Sequence, residues 1–127
     1  MKEKDYKRYK KRVHKLLKQW IPLLKLDAWY IQVDWYDDKT EFAKGGNRFT
    51  AMQIDVDWHY FRARLSVCVP VIAEIDDDRL EWGVVHELCH IIANEMREND
   101  PDLKHEERVV SHLASAFLSV RGATNVS

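Results

Sequence analysis

The spacing of apolar residues changes twice along the 127-residue chain, and these changes restrict the order of helices and strands more than any other sequence feature. Over 4–20, apolar side chains recur every three or four residues, which is typical of one helix face. Between 28 and 71 they alternate with polar residues or form β-branched and aromatic runs, which predicts strands. Helical spacing returns over 79–97 and 103–120. The order α-β-β-β-α-α predicts one small α+β domain spanning 1–127.

Local signals set the expected boundaries in the first half of the chain. Pro22 is expected to end the first helix, because proline lacks an N–H group. A strand is predicted over 28–36, and the polar 37–47 segment with its two glycines is predicted to be a loop. Met52, Ile54 and Val56 alternate with polar residues, which predicts a half-buried strand at 52–57.

The second half of the chain has equally specific boundary signals. A strand is predicted over 64–71, where Pro70 favours an edge position. Three aspartates at 76–78 mark a helix start, because acidic residues stabilise the positive end of a helix. Asn99, Asp100 and Pro101 are expected to separate the last two helices, and Gly122 is expected to close the final one.

The net charge of −1 conceals a strong asymmetry along the chain. Residues 1–25 contain ten lysines and arginines against Glu3 and Asp5, a net charge of +8, which leaves −9 for the remaining residues. Three interpretations stay open for this basic N-terminal helix. It can present a solvated face, dock on the acidic body, or make weak contacts with nucleic acid that fall steeply with salt.

Composition and cysteine count predict a globular chain in the cytoplasm. Apolar residues make up 46% of the sequence and charged residues 32%. No run approaches the roughly 18 apolar residues of a membrane span, so no membrane partner is expected. The charged N-terminus is unlike a secretory signal, and two cysteines cannot form a disulfide framework. Cys68 and Cys89 are therefore expected to be reduced, and Cys89 is expected in the core.

The sequence His86-Glu87-Leu88-Cys89-His90, an H-E-x-x-H pattern, lies in the middle of a predicted helix. Residues four apart share a helix face, with Cβ atoms about 5–6 Å apart. Two imidazoles at this spacing can bind one zinc ion at about 2.0–2.1 Å. Glu87 is rotated by about 100° from His86, so it is predicted to act as a general base on the zinc-activated water.

A catalytic zinc site needs a third protein ligand, and four downstream residues are candidates. Glu107 is favoured over Glu106, because it is predicted at the edge of the apolar stripe of the last helix, above small residues that leave room for the imidazoles. Glu106 is predicted nearer the middle of that stripe. His105 or His112 would instead make a three-histidine site. The same two histidines and Tyr60 are candidates for stabilising an oxyanion.

The H-E-x-x-H motif followed by a glutamate on the next helix resembles the gluzincin-type zincin metallopeptidases. More closely, the chain resembles small zincin-like proteins of phage and prophage genomes, relatives of the SprT-like and ImmA/IrrE-like peptidases. The similar segments are 26–33, 81–90 and 106–114. No glycine and third histidine follow His90, which departs from the metzincin pattern. Cys89 stands where some relatives have glycine.

This resemblance implies a minimal zincin-like α+β domain and a zinc-dependent peptidase acting on a protein or peptide substrate. Zinc would be held by His86, His90 and Glu107, with Glu87 as the catalytic base. It also implies that an edge strand before the active-site helix pairs with extended peptide, and 65–71 is the candidate. Two alternatives stay open: a zinc-stabilised binding or regulatory module without turnover, and a DNA-associated factor that uses the basic N-terminal helix.

Overall fold

A computed structural model describes residues 2–44, 51–94 and 106–126 of the chain, without the side chains of 44 and 122–126. Within these ranges, five α-helices, one 3-10 turn at Trp58–Tyr60 and a three-stranded mixed sheet confirm the predicted α+β class. No helix within these described ranges is long and apolar enough to cross a membrane. The helices are α1 (Glu3–Leu23), α2 (Lys39–Lys44), α3 (Val69–Ile72), α4 (Asp77–Asn94) and α5 (Glu106–Val126); the strands are β1 (Tyr30–Tyr36), β2 (Met52–Asp57) and β3 (Arg62–Cys68).

The sheet has the order β1-β3-β2, so the expectation that 65–71 forms an edge strand is wrong. β3 pairs in parallel with β1 and antiparallel with β2, which makes it the central strand. Its last four residues are all buried, as a central position requires. The strand ends at Cys68, and Pro70 lies in the first turn of α3, where the missing N–H costs no hydrogen bond. β1 begins at Tyr30, two residues later than expected.

The first helix runs past Pro22 and ends one residue later, at Leu23. A proline this close to the end of a helix removes few hydrogen bonds, so it does not stop the helix as predicted. The end is made by Lys25, which adopts the left-handed conformation with φ 61°. Its N–H donates to Pro22 O (3.0 Å) and the Leu26 N–H donates to Ile21 O (2.9 Å), as in a Schellman motif.

Part of the predicted 37–47 loop is the short helix α2. The Asp38 carboxylate accepts hydrogen bonds from the backbone N–H groups of Thr40 and Glu41. Phe42 is buried and packs edge-to-face on Tyr36, with ring centroids 5.4 Å apart. An aspartate followed three residues later by a glutamate is a recognisable helix start, so the local signal for α2 was available in the sequence.

The predicted start of α4 is confirmed at its capping residue. The Asp76 carboxylate accepts a hydrogen bond from the backbone N–H of Arg79 at 2.8 Å, as an N-cap side chain does. The ends predicted for the last two helices are not both described. Residues 95–105, which include the predicted Asn99-Asp100-Pro101 break, lie outside the described residues. α5 continues through Gly122 to Val126, so Gly122 does not close it.

Helix α4 is the centre of the fold, because it contacts β2, α1 and α5. Its inward side chains are fully buried against residues of the basic helix α1, of the central strand and of α5. The Arg12 guanidinium of α1 also forms an ion pair with Asp77 at the start of α4. The basic helix therefore docks on the acidic body, one of the three interpretations of the charge asymmetry. The core includes Val13, Leu17 and Trp20; Leu65 and Val67; Leu80, Val84, Val85, Leu88 and Ile91; and Val110 and Ala114.

A single carboxylate joins the three longest helices. Glu81 of α4 accepts a hydrogen bond from the Trp20 indole N–H of α1 at 2.8 Å. It also forms a two-point ion pair with the Arg121 guanidinium of α5, with one contact at 2.8 Å. Arg121 in turn lies over the Trp20 ring, 5.1 Å from its centroid. Because the Glu81 side chain is only 13% exposed, removing it leaves a partly buried guanidinium and an indole N–H without their acceptor.

The Glu81→Ala substitution is expected to lower the free energy of unfolding by about 2–4 kcal/mol, since removing one partner of a buried ion pair leaves the other uncompensated. Urea unfolding followed by circular dichroism measures this change. Glu74→Ala is the matched control, because Glu74 is exposed and its contact with Lys39 is 3.7 Å long. An exposed pair contributes about 1 kcal/mol or less. Equal effects for the two variants would contradict the role given to Glu81.

Candidate metal centre

Helix α4 places His86 and His90 on the same face, one turn apart. Their ring centroids are 5.0 Å apart, and the rings meet edge-to-face. The two side chains are 11% and 16% exposed, so both lie within the protein with a limited opening to solvent. Val84, Val85, Leu88 and Cys89 anchor the other side of the helix in the core. The apolar pattern of α4 therefore fixes the direction in which the two imidazoles point.

Helix α5 brings the Glu107 carboxylate to these two histidines. Nε2 of His86 lies 2.9 Å from Oε1 of Glu107, and Nε2 of His90 lies 2.9 Å from Oε2. One ligand atom from each of the three residues lies within 4.8 Å of the others. The structure thus brings together the three residues that the sequence favoured as metal ligands, on two helices that pack side by side.

The second nitrogen of each histidine also has a partner from α5. Nδ1 of His90 lies 3.0 Å from Oε2 of Glu106, whose side chain is 9% exposed. Nδ1 of His86 lies 3.3 Å from the hydroxyl oxygen of Ser111. Such contacts fix the ring orientation and the tautomer, and a carboxylate partner makes the opposite nitrogen a better electron donor. Glu106 therefore contacts the Nδ1 side of the His90 ring, whereas Glu107 contacts the Nε2 side.

The three converging residues fit a zinc ion by the chemistry of their donor atoms. Two imidazole nitrogens and a carboxylate oxygen form one of the ligand sets found in catalytic zinc sites. Tetrahedral bonds of about 2.0–2.1 Å place neighbouring ligand atoms about 3.4 Å apart. The distances of 2.9 Å from each Nε2 to a Glu107 oxygen are those of direct hydrogen bonds and are shorter than this value. The side chains would therefore have to move apart to admit an ion.

Glu87 follows the first histidine but is not one of the three converging residues. Its carboxylate accepts a hydrogen bond from the backbone N–H of Ile54 on β2. Burial, and then the negative charge of Glu107, raise the pKa of the Glu87 carboxyl to about 8. Burial also lowers the pKa of His86, which favours the neutral imidazole that binds metals. A bound cation would favour the ionised form of Glu87, opposing the first two effects.

Trp82 is a site residue that the sequence analysis missed. Its indole lies against the His86 ring at a centroid distance of 4.9 Å, and its N–H donates to the Ser115 hydroxyl at 3.1 Å. Trp82 precedes His86 by four residues, so their adjacency follows from helical spacing alone. Its contact with Ser115 joins positions 33 residues apart and has no local signal. The indole restricts the His86 ring on the side away from His90.

The remaining sequence candidates lie outside this group. Cys89 is fully buried, as expected of a core residue, and burial raises the pKa of its thiol to about 11. Tyr60 is 72% exposed in the turn between β2 and β3, and His112 is exposed on α5. His105 lies outside the described residues. Neither Tyr60 nor His112 belongs to the convergent group within the described part of the chain.

Comparisons with known proteins found no relative of this chain. No family model, no curated protein and no solved structure matches the chain. A function for the chain therefore rests on the chemistry and the placement of its own residues.

Proposed function

We propose that this protein is a zinc-dependent metallopeptidase. The observation that carries the proposal is the convergence of His86 Nε2, His90 Nε2 and the Glu107 carboxylate, with Glu87 beside them but outside the ligand group. Three protein ligands leave a fourth position for substrate, which distinguishes catalytic from structural zinc sites. The two free, buried thiols fit the reducing cytoplasm expected from the sequence.

Each residue of the centre has a separate task in this proposal. His86, His90 and Glu107 would hold the ion, while Glu106 and Ser111 orient the two imidazoles. When bound, zinc supplies a Lewis acid that polarises a carbonyl and lowers the pKa of water. The Glu87 carboxylate accepts a proton from the attacking water and later donates it to the departing amine. His86 and Glu87 both line one cavity, which gives substrate access to them.

The strand that would bind an extended peptide is β2, in place of the segment 65–71. In the described sheet β2 is an edge strand that packs against α4, whereas β3 is hydrogen-bonded to a strand on each side. The Ile54 N–H of β2 already donates to Glu87, so it points away from β3 and toward the centre. A peptide that extends the sheet at this edge would pass directly beside Glu87. This placement supports a polypeptide substrate.

Metal analysis and a cleavage assay test the proposal together. The purified protein is expected to contain about one zinc ion per chain, measured by inductively coupled plasma mass spectrometry. It is expected to cleave unfolded protein substrates, since the ligand set and base are those of hydrolytic zinc sites. A chelator should abolish the cleavage, and stoichiometric zinc should restore it. A metal-free preparation that still cleaved the substrate would contradict the proposal.

The same assay separates the peptidase from a zinc-stabilised binding module. A protein that binds zinc but cleaves no substrate, even with excess zinc, would support the module without turnover. In that case chelation would lower the thermal stability and leave no activity to restore, because metal binding is coupled to folding.

A further inference from the structure

A cavity of about 290 Å³ opens beside the metal centre. His86 and Glu87 form one side of it, and Met52, Ile75 and Trp82 contribute apolar walls. Gly83 lies on its floor, where an added Cβ would approach the Met52 methyl carbon to 2.8 Å. The absence of a side chain at Gly83 therefore lets the Met52 side chain pack against α4 and form part of the cavity wall beside the metal centre.

Arg79 provides the one arginine or lysine side chain among the described residues that line this cavity. Arg79, Trp82 and His86 are spaced along one face of α4, so the guanidinium lies toward the start of the helix. Arg12 and Arg121 are engaged by Asp77 and Glu81. Across the described ranges of the chain, by contrast, no carboxylate forms an ion pair with Arg79. Its positive charge is available to a bound molecule.

The distance between Arg79 and the metal centre suits a short piece of peptide. Arg79 precedes His86 by seven positions, which is about 10 Å along the helix axis. An extended chain covers about 3.3–3.6 Å per residue. Two residues therefore cover about 7 Å, and the length of the Arg79 side chain can span the remainder. A carboxylate one or two residues from the cleaved bond can reach the guanidinium in this way, while an adjacent apolar side chain lies against Met52 and Trp82.

Resting on the proposed peptidase function, we propose that Arg79 makes this cavity a subsite for a substrate carboxylate. An arginine forms charge-assisted hydrogen bonds with carboxylates, and the exposed position of Arg79 leaves its guanidinium accessible to a substrate. The carboxylate can belong to a glutamate or aspartate side chain near the cleaved bond, or to the C-terminus of the substrate. In either case the preferred substrates carry a negative charge beside an apolar residue.

Matched peptides test this subsite by turnover. A cleaved, internally quenched peptide is resynthesised with Glu or Gln at each of the two positions flanking the cleaved bond, and with a free or amidated C-terminus. The carboxylate form of at least one pair is expected to have a kcat/KM roughly three- to tenfold higher. Arg79→Gln should remove that difference. Lys18→Gln, which removes an exposed charge on α1 away from the cavity, should preserve it.

Binding provides a second readout that does not depend on turnover. Zinc-loaded Glu87→Gln protein is titrated with the same peptides carrying a fluorophore, and anisotropy is measured with and without Arg79→Gln. Tighter binding of the carboxylate form that is lost in the Arg79→Gln background supports the subsite. If the wild-type protein nevertheless cleaves no peptide, this result rejects the peptidase function and leaves the subsite supported. Cleavage or binding with equal preference for both forms overturns the subsite, as does the absence of both cleavage and binding.

Discussion

Replacing Glu87 with glutamine is expected to leave the zinc content unchanged and to lower peptide hydrolysis by about 10²–10⁴-fold, the usual contribution of general acid–base catalysis. Glutamine preserves the shape of the side chain but cannot accept the proton from water. Glu87 lies outside the group of three converging residues, so its loss removes no ligand. Metal analysis and kcat/KM for one peptide, measured on the same preparation, provide both values.

His86→Ala is the contrasting variant for this experiment. Its side chain is one of the two imidazoles that face Glu107, so its removal should lower zinc content and activity together. Circular dichroism and chelator-treated wild-type protein show whether the loss comes from the metal or from the fold. Full activity of Glu87→Gln would disprove the role of Glu87 as the base. Loss of zinc from Glu87→Gln would make Glu87 part of the metal-binding set.

Substitution of the two adjacent glutamates should have unequal effects on metal affinity. Glu107→Ala removes one of the three proposed ligands and is expected to weaken zinc binding by more than about 100-fold, above the effect of a supporting group. Glu106→Ala removes only the partner of His90 Nδ1, and such supporting groups contribute about 10–100-fold. Competition with a chromophoric chelator at fixed pH measures both dissociation constants.

The two glutamates also serve as controls for each other, because the same change is made at neighbouring positions in the first turn of α5. A larger loss for Glu106→Ala would transfer the ligand role to Glu106. Small and equal losses would favour a histidine ligand, with His105 and His112 as the candidates to replace next. Ser111→Ala should have a smaller effect than either, because its contact with His86 is longer and uncharged.

Much of the fold could be predicted from periodicity, because α1, α4 and α5 bury one face each and β2 alternates. The arrangement of strands could not. Pro70 suggested an edge strand, yet the strand ends before it and lies in the centre of the sheet. Strand order depends on which faces the helices cover, and this is decided by contacts between distant residues. No local pattern records those contacts.

The metal-binding candidates were accessible to sequence reasoning for a physical reason. His86 and His90 are separated by one helical turn, so their adjacency depends only on local structure. Glu107 required a further step, the packing of two consecutive helices, and its position at the stripe edge distinguished it from Glu106. Contacts between side chains that are distant in sequence could not be predicted from helical spacing. The Trp20 and Glu81 side chains that bond each other are 61 residues apart.

Two of the three converging side chains come from α4 and the third from α5, so an ion held there would cross-link the two helices. Its binding free energy and the free energy that keeps α5 docked on α4 are then thermodynamically linked. A substitution that loosens the helix interface, for example at fully buried Ala114, would weaken metal affinity to the extent that it populates the undocked state, and at most by the coupling free energy between binding and docking. Metal occupancy would then report how completely α5 is docked on α4.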